Sequence, residues 1–276
     1  MKKALFLFFI LLSGVLVSNS QTPETLQAGK EQLEAERVWE QIIKVRGGRE
    51  KLHSVSNLVL TKGDSPSKNQ IEVYVYPDRY WEWSKGKIVY DYQVVTLTNL
   101  LTGIHQLATE KGITSSKNLI IGDPRASYRE SWLMEASMFL LETRWLKPTP
   151  IRVTRQKIGK EQFDVIETRF PNLSVLKDWG LLYYVDPESL EVRRVAGCGD
   201  DGKPYSYYYF DGQTTVDGIV VPKSFVSFLA SSRVENPNKK SFVPLTFQFN
   251  VDYDEKLFER PPSVGDGPDA WKRKKN

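Results

Sequence analysis

Cysteine and histidine are nearly absent: Cys198, His53 and His105 are the whole supply in 276 residues. One cysteine excludes an intramolecular disulfide, so the fold must rest on its core. The two histidines stand far apart, and no His, Cys and carboxylate cluster has zinc-ligand spacing, so no metal is expected. A serine triad would need one of those histidines, and the chain has no G-x-S-x-G elbow. These absences predict neither catalysis nor a cofactor. A surplus of one charge sign is lacking too, since the formal charge is only +4. That excludes the basic footprint of a nucleic-acid binder. Long apolar runs are missing except for Ala4 to Val17, interrupted by Ser13 and Gly14. This run is shorter than the roughly 18–20 residues a membrane-spanning helix needs.

The short run has the flanks of an export signal. Met1-Lys2-Lys3 precedes it and Ser18-Asn19-Ser20 follows it. A positive start, an apolar stretch and then small residues are the pattern of a cleaved signal peptide. Residues 1–20 are therefore expected to be removed near Ser20-Gln21, leaving a periplasmic or secreted chain. No cysteine stands directly after the run, so attachment through a lipobox cysteine is excluded.

Aromatic residues are plentiful, at 12% of the chain, and supply a large core. From Glu24 to Arg46 the chain is rich in Glu, Gln, Leu, Ala and Lys. Leu26, Leu33, Val38, Ile42 and Val45 give near-helical spacing. Gly47-Gly48 should end this helix, and a short helical turn, Arg49 to Val55, follows. The period then changes to two. Ile71, Val73 and Val75 alternate with Glu72, Tyr74 and Tyr76, Pro77-Asp78 makes a turn, and Arg79 to Trp83 starts the next strand. Strands are also expected at Ile88–Val95 and Thr98–Thr109. One helix, from about Pro124 to Leu146, is apolar nearly all round after Trp132, so it should be covered on most sides. Pro148 and Pro150 end it. Strands resume at Phe163–Phe170, Leu181–Val185, Leu190–Ala196, Lys203–Phe210, Ile219–Val221 and Phe225–Leu229. Val243, Leu245, Phe247, Phe249 and Val251 then alternate with polar partners. After Pro261-Pro262 a basic stretch, 263–276, reads as a disordered tail able to touch a membrane surface. The chain is thus mainly β (α+β): one large curved antiparallel sheet with the long helix on its concave side.

Two strings imitate functional motifs. Gly197-Cys198-Gly199-Asp200-Asp201-Gly202 matches G-x-G-x-x-G, but Lys203-Pro204-Tyr205 opens a strand where that fingerprint needs a helix, so it reads as a hairpin turn. Cys198 there lacks the positive setting of a reactive thiolate. Asn172-Leu173-Ser174 has the form of a glycosylation sequon. The aromatic load is more informative. Ordinary cross-strand pairing accounts for much of it. The functional alternative is an apolar cavity lined by Tyr74, Tyr76, Trp81, Trp83, Trp132, Met134, Met138 and Phe139, with the long helix as its cover.

Several stretches together resemble one family. They are Gly47-Gly48-Arg49-Glu50-Lys51-Leu52, Tyr76-Pro77-Asp78-Arg79-Tyr80, Tyr184-Val185-Asp186-Pro187-Glu188, Val192-Arg193-Arg194, Asp217-Gly218-Ile219-Val220-Val221-Pro222, Asn250-Val251-Asp252 and Leu257-Phe258-Glu259-Arg260-Pro261-Pro262. In this order they resemble exported bacterial proteins related to the LolA/LolB lipoprotein carriers. The resemblance implies a half-barrel domain over 21–262: an incomplete β-barrel whose concave face is covered by helices. It also implies that a lipoprotein acyl chain or another lipid is the partner. The alternative is a non-catalytic envelope module with a filled core that binds another protein through its sheet face.

Overall fold

The structure is a computed structural model that describes residues 23–65, 68–85, 93–102, 104–115, 124–232 and 237–273. The export signal and its cleavage site lie outside these residues, as does most of the strand expected at 88–95.

Two helices open the described chain, α1 (Pro23–Val45) and α2 (Arg49–Ser54). The buried stripe of α1 is Ala35, Val38, Trp39, Ile42 and Ile43, one face of a 3.6-residue period. Leu33 and Val45, expected on that stripe, are 67% and 41% exposed. Gly47 and Gly48 take φ of +117° and +88°, conformations that only glycine adopts without strain, and the chain turns there. At Gly47 an added Cβ would also lie 2.3 Å from the Gly218 carbonyl oxygen.

Six strands follow: β1 (Asn57–Ser65), β2 (Lys68–Val75), β3 (Arg79–Lys85), β4 (Val94–Asn99), β5 (Ile104–Thr109) and β6 (Gly112–Ser115). The strand expected at 98–109 is divided into β4 and β5, which pair with each other. Next comes α3 (Pro124–Leu140), then β7 (Thr149–Ile158), β8 (Glu161–Arg169), β9 (Gly180–Val185), β10 (Val192–Cys198), β11 (Pro204–Val216), β12 (Ile219–Leu229) and β13 (Val243–Phe249). α3 stops six residues short of its expected end. Leu141 takes φ of 71°, and the Thr143 and Leu146 backbones bond each other in a turn.

The thirteen strands of the described residues form one open antiparallel sheet, ordered β6-β5-β4-β3-β2-β1-β13-β12-β11-β10-β9-β8-β7. Consecutive strands are neighbours except β6 and β7, which form the two edges of the sheet, and β13 joins the halves by lying between β1 and β12. The β12–β13 ladder is narrow, pairing only Ser224 with Pro244 and Phe225 with Val243. Beside it, where β12 has no strand partner on this side, the α1–α2 corner takes over. The Val220 N–H donates to the Arg46 carbonyl at 3.0 Å, and the Arg46 guanidinium donates to the Val220 carbonyl at 2.9 Å.

The main core lies on the concave face. α1, α2 and α3 pack there against Leu58, Leu60, Leu181, Tyr183, Val185, Val195, Phe247 and Phe249. Trp39 meets Tyr183 edge-on at 5.0 Å, and the Tyr183 hydroxyl donates to the Ser137 carbonyl of α3 at 3.0 Å. A second core lies on the convex face of the first half-sheet: Val59, Ile71, Val73, Val75, Trp81, Trp83, Val95 and Leu97, covered by Leu257, Phe258 and Trp271. The expected disorder after Pro262 is therefore corrected for residues 263–273. Trp271 is 4% exposed, Tyr253 and Lys272 form a bridge, and the Asp254 N–H donates to the Trp271 carbonyl at 2.8 Å. The Gly, Asp and Pro content of this stretch makes turns, and one large aromatic anchors them. Among the described residues no helix is long and apolar enough to cross a membrane.

Candidate ligand-binding site

The eight residues expected to line a cavity divide between the two faces of the sheet. Residues paired across an antiparallel ladder share a face. Tyr74 pairs with Tyr80, whereas Val73 pairs with Trp81 and Ile71 with Trp83. Tyr74 and Tyr76 therefore face α3, where they join Trp132, Met134, Met138 and Phe139 in the main core. Trp81 and Trp83 lie in the convex core, on the wrong side for a shared cavity. The assignment of those two is corrected accordingly: each is one residue out of phase with the concave face.

The concave aromatics form a continuous shelf. Tyr74 stacks on Tyr76 at 5.8 Å, Tyr80 stacks on Trp132 at 5.3 Å, and Trp145 lies 5.4 Å from Tyr76. Phe139 fills the other end, meeting Phe210 and Phe247 at 5.8 and 5.6 Å. Phe139, Leu140 and Leu141 are at most 2% exposed. The middle of the concave face is thus occupied by the protein's own side chains.

Open space lies along the edge of α3. A groove of about 400 Å³ is lined by Met134, Met138, Leu176, Trp179, Tyr205 and Tyr208, with Ser131 and Glu135 at its rim. Trp179 and Tyr205 meet edge-on at 5.0 Å, and each is 39% exposed. A larger groove of about 570 Å³ lies between α1 and β7, but Glu36, Arg37, Glu40 and Lys147 give it a charged lining. The α3 groove is the better candidate for an apolar ligand, because apolar walls with few polar groups suit such ligands.

Polar links hold α3 at its ends and middle. Near its start, Arg129 pairs with Asp78, and the Tyr128 hydroxyl bonds His105 Nε2 at 2.9 Å. Burial lowers the affinity of His105 for a proton. The Glu130 carboxylate accepts four hydrogen bonds from the Ser174 N–H and hydroxyl and the Val175 and Leu176 N–H groups, at 2.6–2.8 Å. These bonds hold its pKa below the usual carboxylate value against the opposing effect of burial. Just past the helix, buried Glu142 is bonded by Arg49 Nε at 2.5 Å and His53 Nε2 at 2.9 Å.

In the middle sits a charged network that the sequence reading missed. The Lys62 ammonium donates to Glu72 at 2.6 Å and to Glu135 of α3 at 3.2 Å. Gln70 donates to both Glu72 and Glu82 at 2.8 Å. The Tyr74 hydroxyl donates to Glu72 at 3.0 Å, and the Tyr80 hydroxyl to Glu82 at 2.9 Å. Glu72 is only 3% exposed, and burial pushes its pKa up to about 8 against the pull of Lys62. Burial also raises Glu82. It opposes the charge on Lys62, yet Glu72 and Glu135 outweigh it and keep the ammonium protonated. Three carboxylates share one ammonium, so the cluster as a whole holds a proton more readily than isolated carboxylates would. The signal in the sequence was parity: Gln70 and Glu72 share the face of Tyr74 and Tyr76.

Among the described residues no group of three or more His, Cys, Asp or Glu is placed to hold a metal ion. Cys198 is buried in the β10–β11 hairpin, where burial raises its pKa despite Arg169.

No family model and no curated protein matches the chain. It is similar to a domain assigned to an outer membrane lipoprotein-sorting protein of Vibrio parahaemolyticus, with 8% identity and a TM-score of 0.39 over 84% of this chain and 97% of that one. A DUF1329 family protein from Desulfovibrio piger gives 7% identity and 0.40, covering 81% and 96%. A LolA superfamily protein from Nitrosomonas europaea gives 14% identity and 0.35, covering 79% and 96%.

Proposed function

We propose that the protein is an exported, non-catalytic carrier that holds an acyl chain of a lipoprotein or another lipid. The observation that carries this reading is the α3 groove, where Met134 and Met138 face Trp179, Tyr205 and Tyr208. Methionine adapts its shape to irregular apolar partners, and exposed aromatics beside it offer surface that a chain would cover. Each methylene moved from water into such a groove contributes about 0.8 kcal/mol. Uptake beyond the groove requires α3 to shift from the sheet, since its own side chains fill the concave face. The polar links at Asp78, Lys62 and Glu142 are discrete contacts that such a shift would break and remake.

Native mass spectrometry of the chain purified from a bacterial periplasm, with lipid extraction, tests the reading. One acyl lipid per protein is the expected result. Met138→Glu should abolish uptake while circular dichroism stays unchanged, because a carboxylate at the groove wall must be desolvated when a chain binds. The filled concave face favours a second reading, an envelope module that binds another protein through its sheet. A clean apo mass with no uptake of added lipid would select it.

A further inference from the structure

The charged network beneath α3 is poorly matched to holding the fold alone. Two carboxylates, Glu72 and Glu135, bond a single ammonium, and a third, Glu82, joins them through Gln70. Burying unpaired carboxylates is costly, and a well-packed apolar set would serve stability as well or better. A second polar group points into the same place without a partner. Tyr76 is 9% exposed, and its hydroxyl is buried with no hydrogen bond. Its ring stacks on Tyr74, whose own hydroxyl reaches Glu72. Burial first, and then the nearby charges of Glu135 and Glu72, raise the pKa of the Tyr76 hydroxyl, so it lies within reach of their field. Ser84 pairs with Gln70 on this face, is fully buried, and likewise has an unpartnered hydroxyl.

We infer that this cluster is a binding site for a protonated primary amine, the cationic head of an amphiphile whose chain lies in the Met134–Trp179 groove. The inference rests on the carrier reading and names the chemistry of its ligand. Glu135 joins the two compartments, because it lines the groove, accepts from Lys62 and keeps a third of its side chain exposed. An ammonium entering beside Glu135 meets the Glu135 carboxylate, the carboxyl oxygens of Glu72, a hydroxyl oxygen on Tyr76 that accepts no hydrogen bond, and the Tyr74 and Tyr80 rings. Rings of this kind attract cations through their faces. An anionic head, carboxylate or phosphate, would meet repulsion from the same carboxylates. The Lys62 ammonium already shows that the cluster accepts an –NH3+ group.

The test compares three amphiphiles of equal chain length, dodecylamine, dodecanol and dodecanoate, with methylammonium as the head alone. Binding to the full chain is followed by calorimetry and tryptophan fluorescence below micellar concentration. A charged hydrogen bond gained by the amine should make it bind about tenfold or more tighter than the alcohol, with dodecanoate weakest. In Glu135→Gln the ratio of amine to alcohol affinity should fall close to one, with thermal unfolding as the check that the variant folds. Equal binding of amine and alcohol by the wild-type chain would overturn the inference and leave the carrier reading standing. Methylammonium binding as tightly as dodecylamine would overturn it as well, by assigning the cluster to a free cation. Binding of none of the amphiphiles would remove the carrier reading, and the inference with it.

Discussion

Strands β2 and β3 carry two different surfaces. On the convex side Ile71, Val73, Val75, Trp81 and Trp83 form a dry layer, sealed by Leu257, Phe258 and Trp271. On the concave side the intervening residues Gln70, Glu72, Tyr74, Tyr80 and Glu82 form a bonded polar layer under α3. Both layers are buried apart from the half-buried Glu82, so exposure hardly separates them. What separates them is the alternative use of the same backbone. The dry side gains stability from area removed from water, and the polar side spends desolvation to place charge where α3 can reach it. The contrast assigns structure to one face and chemistry to the other.

The contrast can be broken from either side. Trp81→Ala should have the largest effect, a loss of about 3–5 kcal/mol from a fully buried ring and the cavity it leaves. Urea unfolding measures it, and the amine-to-alcohol preference should stay as in the wild type. On the polar side, Lys62→Met alone should cost about 3–5 kcal/mol by stranding buried carboxylates, while Lys62→Met with Glu72→Leu should recover most of that loss. A double substitution no better than the single one would mean the network is not limited by unpaired charge. The smallest effect is in pH. Glu72 has a folded pKa of about 8 against a usual value of 4.5, so the folded state holds the extra proton between these values. Its stabilising contribution is complete below about pH 4.5 and is lost as pH rises toward 8. Glu82 acts in the same direction. Glu72→Gln should flatten this pH dependence and Trp81→Ala should leave it intact.

The sequence made the antiparallel sheet legible because most strands bury one face, and period-two alternation records that directly. The helix α3 was legible from its lack of a polar side, though it ends at Leu140 and not Leu146. β7 was not, since Arg152, Thr154, Arg155, Gln156 and Lys157 leave an exposed edge strand with no apolar alternation. Pro148 and Pro150 pointed only to a helix end. The candidate site was half legible. Tyr74, Tyr76, Trp132, Met134, Met138 and Phe139 share the concave core, but closeness in sequence could not tell the face of Trp81 from that of Tyr80. That choice depends on the register across the Tyr76–Arg79 turn. Glu72 and Lys62 escaped notice because a charged residue in an alternating strand ordinarily marks the wet side. Trp271 escaped because one aromatic in a polar, Gly- and Pro-containing stretch has no period at all.

The narrow β12–β13 ladder has a mechanical consequence. Two residue pairs join the half-sheet of β1 to β6 with β13 to the half-sheet of β7 to β12. The sheet therefore resembles two covers of a book on a short spine, with the α1–α2 corner wedged beside it through Arg46 and Val220. A small rotation about that spine needs few backbone bonds to change, yet it would be magnified at the far edges. α3 is tethered to one cover at Asp78 and Lys62 and to the other at Tyr183 and Ser174. Opening the book would pull those tethers apart, so the stiffness of two residue pairs and one glycine-tight corner sets how wide the α3 groove can gape.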